Sequence, residues 1–148
     1  MGDRNWDFVL GEVHRARQER IAYYASQDTK LGILFVLSGA LIALSPTLPW
    51  QVGFATVMFA GFAAYYASEG LRTRPVDLVS AEWAGEQRDR DLDDVHAEYM
   101  GRLRDQVTSL DADLADKAWC LYTTRLFLIC ALASAGLGVV VRAITDTT

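Results

Sequence analysis

Residues 27–51 read QDTKLGILFVLSGALIALSPTLPWQ, and this stretch decides the fold. Asp28 and Lys30 are followed by no charged side chain until Glu69. Leu31–Ser68 is thus 38 residues without a charge, broken only by Pro46 and Pro49. A helix needs roughly 20 apolar residues to cross a bilayer, with about 17 as the lower limit. Leu31–Leu48 supplies 18 and Val52–Ser68 supplies 17. The prolines lie between them, where proline ends one helix and sets a turn. Trp50 sits at that turn, an amphipathic ring suited to headgroup depth. The pattern predicts a membrane-spanning helical hairpin over 30–68.

A second block, 118–141, carries a single charge, Arg125, and predicts a third span from Trp119 to Val141. The overall composition, 51% hydrophobic and 22% charged, looks ordinary because charge is segregated into 1–30 and 69–117. A soluble domain of this length would have to bury about 60 strongly apolar residues in one core, more than surface-to-volume scaling comfortably permits. Lipid immersion removes the difficulty. The net charge of −5 offers no basic face to neutralise phosphates, which excludes a nucleic acid polymer as partner. Cys120 and Cys130 lie on one predicted helix, about 15 Å apart, too far to bridge. The opening residues, MGDRNWDFVLGEV, lack the basic and apolar regions of a cleavable signal peptide.

Basic residues set the expected orientation. Lys30, Arg72 and Arg74 flank the open ends of the hairpin, while the 45–51 turn has no charge. By the positive-inside rule, 1–29 and 69–118 are cytoplasmic and the tail after the third span lies outside. Arg142 is the exception. Residues 69–78 are expected to form a turn broken at Pro75. From Ser80 a long helix is expected, with apolar residues at Leu92, Val95, Tyr99, Leu103, Val107, Leu110 and Leu114. Their mean step is close to 3.67 residues, the signature of an eleven-residue repeat. Such a stripe must bury itself against another helix. The partner is the N-terminal helix, with Trp6, Leu10, Val13, Ile21 and Tyr24 on one face. The expected fold is an all-α membrane protein with three transmembrane helices. Its cytoplasmic helical bundle is formed by the N-terminal helix and a long helix continuous with the last span.

Extending the eleven-residue repeat past Leu114 reaches Arg125 and places it in the packed interior. A charge at that depth is a functional candidate by default. Two readings stand: a contact with Asp28, or an arginine that snorkels to the cytoplasmic headgroups. Lys30 is expected to anchor at the interface. Small residues mark close helix approach, in the interleaved pairs Ala131/Ala135 and Ser134/Gly138, and in Ala60/Ala64. They fit packing within the chain or a homo-oligomer.

No catalytic constellation is legible. His14 and His96 stand on charged helical faces, and HExxH, CxxC, GxSxG and phosphate-loop patterns are missing. The acidic run RDRDLDDVHAE lacks the glycine turn and final glutamate of a calcium loop. No enzymatic activity, cofactor or metal is expected.

Two segments carry a resemblance. QDTKLGILFVLSGALIA resembles the first membrane helix of the bacterial Pycsar-effector transmembrane domain family, with its Asp-x-Lys, glycine and Leu-rich run ending in small residues. EYMGRLRDQVTSLDADLADKAWCLYTTRLFLICALASAGLG is similar to that family's second half, where a long helix enters the last span through a basic residue. The match reaches Asp28, Lys30, Gly32, Gly39, Lys117 and Arg125. It implies a homo-oligomeric inner-membrane effector of antiphage defence, set off by a cyclic nucleotide or a partner chain that senses one. The family's effectors generally carry a separate nucleotide-binding domain, whereas no β-rich segment is legible here. The alternative expectation is a non-lytic scaffold or accessory subunit that recruits a partner protein through its cytoplasmic helices.

Overall fold

The computed structural model describes residues 3–72 and 92–146. Among them every regular element is helical: α1 (Asp3–Leu44), a 3-10 turn (Ser45–Thr47), α2 (Trp50–Leu71) and α3 (Leu92–Thr145). Proline sets the break, as expected. Pro46 lies in the first turn of the 3-10 segment and Pro49 caps α2. Ser45 Oγ donates to the Ile42 carbonyl (2.7 Å) and Thr47 Oγ1 to that of Leu44 (2.7 Å). These bonds engage carbonyls near the end of α1 that have few helical donors left.

Two boundaries differ from the sequence reading. Helix α1 runs unbroken from charged into apolar sequence, so 3–29 and the first half of the hairpin share one helix. Helix α2 continues through Glu69 and Gly70 to Leu71, where a turn was expected. Pro75, and the expected helical stretch 80–91, lie outside the described residues. Two helices, α1 and α3, are long and apolar enough to cross a membrane. Helix α2, 22 residues long, is not among them.

The chain divides into two compact units. In the first, described over 3–24 and 92–115, α3 buries Leu103, Gln106 and Leu110, with Tyr99, Val107 and Leu114 half-buried beside them. On α1 the half-buried positions are Val13, Ala16, Arg17, Arg20 and Tyr24. Ile21, expected on this face, is 48% exposed. Arginine stems occupy the stripe instead, covering apolar surface with their methylenes. The side chains of Trp6, Leu10 and Leu92 lie outside the described residues.

Arg20 clasps Asp111 with a fork, Nε to Oδ1 at 2.6 Å and Nη2 to Oδ2 at 3.2 Å. That hydrogen bond holds the Asp111 carboxyl below its ordinary range and raises Arg20. A depressed carboxylate contributes stability above its unfolded pKa and loses it as pH falls through the folded value. Arg20 stays charged throughout this range. Asp111→Asn should therefore be less stable than the parent at pH 7, the difference shrinking as pH falls below the ordinary carboxylate range and through the depressed folded value. Circular dichroism melts across that range check it; a difference independent of pH would mean that the pair contributes nothing.

The second unit, 25–72 with 116–146, is three helices side by side. Leu31 and Cys120 both lie against Gly70, while Leu48 and Val52 lie against Gly138. These contacts make α1 and α3 parallel there, with α2 antiparallel to both. The buried edge of α2 is Gly53, Thr56, Ala60, Ala63, Ala67 and Gly70, small residues throughout. A Cβ on Gly70 would stand 2.8 Å from Leu31 Cδ1 and 3.0 Å from Cys120 Cβ. One on Gly53 would stand 2.8 Å from the Ser45 carbonyl oxygen. Small residues let the backbones close in, and Leu41, Leu128, Ala131 and Ala135 fill the layers between them.

The outside of this unit carries large apolar side chains, and its inside holds several polar ones. Val36, Trp50, Phe54, Tyr65, Tyr122, Ile129 and Leu137 are each at least 60% exposed. Gln27, Ser38, Thr56, Lys117 and Thr124 are buried.

Candidate functional site

The polar seam inside the second unit follows from a seven-residue rhythm. On α3, Leu103, Leu110, Lys117, Thr124, Ala131 and Gly138 recur every seven residues, and all are buried. Leu121, Leu128 and Ala135 form the companion row. On α1 the rows are Gln27, Leu34 and Leu41, and Tyr24, Leu31, Ser38 and Ser45. A sustained heptad keeps one seam facing its partners. Reading an eleven-residue repeat through Leu114 was therefore a phase error beyond it.

The consequence falls on the ion pair. Arg125 stands one position past Thr124 on α3 and is exposed, so the expected interior placement is overturned. Lys117 takes the interior position: it is 4% exposed, and its Nζ donates to Asp28 Oδ1. The Asp28 side chain keeps 33% of its surface exposed. The carboxylate half of the expected contact is in place, but its partner within the chain is Lys117, not Arg125.

Near this pair two buried oxygens lack hydrogen-bond partners, Gln27 Oε1 and Thr124 Oγ1. Each such atom costs about 1–3 kcal/mol relative to a paired one. Ser38 and Thr56 are satisfied by carbonyls of their own helices, at 2.8 and 2.9 Å. An aromatic ladder closes one side of the unit: Phe127 stacks on Phe62 (5.3 Å) and Tyr66 (5.8 Å), and Tyr66 meets Trp119 edge-on.

The remaining candidates divide between the inside and the outside. Ala131, Ala135 and Gly138 are consumed by packing within the chain, and Ser134, half-buried, donates to the Cys130 carbonyl at 2.9 Å. Lys30 is exposed. Gly32 is half-buried and Gly39 exposed, and a Cβ on either would meet open space. Neither glycine is therefore needed for packing within this chain.

Sequence reasoning passed over Arg142, whose Nη1 donates to the Thr47 carbonyl at 2.7 Å and ties the end of α3 to the hairpin turn. It also passed over Gly53 and Gly70, although their place in the seven-residue run of small residues on α2 was legible.

No family model matches the chain, and no curated protein or solved structure is significantly similar to it. The class follows from the structure alone: over the described residues the chain is all-helical, with two helices long and apolar enough to cross a membrane.

Proposed function

We propose that this protein is a homo-oligomeric bacterial inner-membrane effector that perturbs or permeabilises the bilayer when activated. The observation that carries the reading is the second unit's exterior, aliphatic and aromatic, around a seam in which small and polar side chains sit among the buried Leu31, Leu41, Leu121 and Leu128. Contiguous exposed apolar surface marks a contact with lipid or protein. The α2 edge of that seam is glycine, alanine and threonine, which gain less from apolar burial than leucines would, so separating α2 from its neighbours costs less. Opening it would bring Lys117, Asp28 and the unpaired Gln27 and Thr124 oxygens to water, and water entry relieves their desolvation.

In this reading α2 is the third crossing, facing lipid with Phe54, Met58, Phe62 and Tyr65. The first unit is cytoplasmic and the C-terminus lies outside, following Lys30, Arg72 and Arg74. Arg142, the exception, is engaged by Thr47 and lies 3.7 Å from Asp146. The antiphage role and its cyclic-nucleotide trigger rest on the family resemblance of the two quoted segments.

Expression in a bacterial host tests it. The chain should resist alkaline extraction from membranes and collapse the membrane potential at high level, and the double variant Asp28→Asn/Lys117→Met should leave the potential higher. A membrane-held chain that leaves the potential intact overturns the effector reading. It would favour recruitment of a partner protein, for which the first unit has a groove between Val13, Ala16, Met100 and Val107, flanked by Arg20 and Arg104.

A further inference from the structure

Between residues 118 and 141 the outward face of α3 carries one charge in an otherwise apolar and aromatic surface. Trp119, Tyr122, Leu126 and Ile129 are exposed along it, and Arg125 is exposed among them. Among the described residues Arg125 has no hydrogen bond, ion pair or ring contact. We propose that Arg125, with Tyr122 three residues before it on the same helix, binds the phosphate of an anionic phospholipid headgroup. The proposal rests on the membrane reading above.

The choice of lipid over a protein carboxylate follows from the sequence. Leu31–Ser68 and Ala118–Val141 contain no aspartate or glutamate, so a second copy offers Arg125 no counterion at its own depth. At the boundary, Asp28 is engaged by Lys117, Glu69 lies 3.7 Å from Arg72, and Asp116 is engaged as well.

Direction and space agree. Arg125 lies eight residues past Lys117, about 12 Å along the helix axis. Helical side chains lean toward the N-terminal end, which on α3 is the end bearing Lys117. In that direction the arginine passes Tyr122, three residues before it and exposed, and then Ala118, small and exposed. The methylenes lie along apolar surface and the head rises toward the polar boundary. Trp119 and Tyr122, 58% and 69% exposed, put amphipathic rings at that level. A guanidinium holds phosphate through two parallel hydrogen bonds, which an ammonium does not reproduce.

Native mass spectrometry of the full chain, released from detergent with equal phosphatidylglycerol and phosphatidylcholine, tests the site. The parent should retain phosphatidylglycerol with about a ten-fold preference. Arg125→Gln should lose it, Arg125→Lys should keep part of it, and Arg104→Gln, the same charge change in the first unit, should keep it whole. An undiminished preference in Arg125→Gln overturns the proposal. So does a fall in subunit count with lipid retention unchanged, since the arginine would then meet a second copy. A parent that is monodisperse in buffer without detergent sinks the membrane reading itself, whereas a detergent-requiring chain with no lipid preference sinks only this site.

Discussion

Asp28→Asn will destabilise this protein by about 2–3 kcal/mol, while Lys117→Met will cost about 1 kcal/mol or less, as judged from buried ion pairs. The asymmetry comes from exposure. Lys117 is 4% exposed, and the Asn substitution takes the carboxylate away from a buried cation. The reverse substitution leaves a carboxylate with 33% of its side chain still open. Fully buried pairs cost about 3–5 kcal/mol to break from one side, and the open carboxylate brings the figure down. The double variant should return to within about 1 kcal/mol of the parent, because a methionine beside a neutral amide leaves no charge to desolvate. Unfolding in detergent micelles measures all three. Additive losses would count against the contact.

Gly53→Ala and Gly70→Ala should each cost about 1–3 kcal/mol, the usual range for overpacking. At Gly53 the new methyl would stand 2.8 Å from a backbone oxygen, Ser45 O, in the hairpin turn that α2 leaves. At Gly70 it would meet Leu31, which is fully buried, and the Cβ of Cys120. Gly39→Ala and Gly61→Ala, where a Cβ meets open space, should instead stabilise by about 0.5–1 kcal/mol through helix propensity. The same micelle unfolding separates the two pairs by sign. Equal effects at all four positions would remove the small-residue edge of α2 as the reason for close packing. Loss of assembly in Gly39→Ala without loss of monomer stability would place that glycine between copies.

The helices and the break between them were legible because local rules govern them. Charge is excluded over Leu31–Ser68, and Pro46 and Pro49 end one helix and begin the next wherever the rest of the chain lies. Asp28 was legible as one half of an ion pair for a similar reason, since a carboxylate at the edge of an apolar block needs a counterion. The stripe from Tyr99 to Leu114 was legible too, because over three or four turns an eleven-residue and a seven-residue repeat nearly coincide.

The identity of the cation was not legible, and the reason is accumulated phase. From Leu103 to Arg125 is 22 residues: two eleven-residue repeats, but three heptads and one residue more. One residue is about 100° of helix rotation, enough to turn an interior position outward. The apolar blocks, the proline turn and the long helices could be read from neighbouring residues, because all are consequences of short-range chemistry. Only the tertiary structure decided that Lys117 enters the seam and Arg125 leaves it, because the supercoil phase depends on how closely Gly53, Gly70 and the alanines between them let three backbones approach.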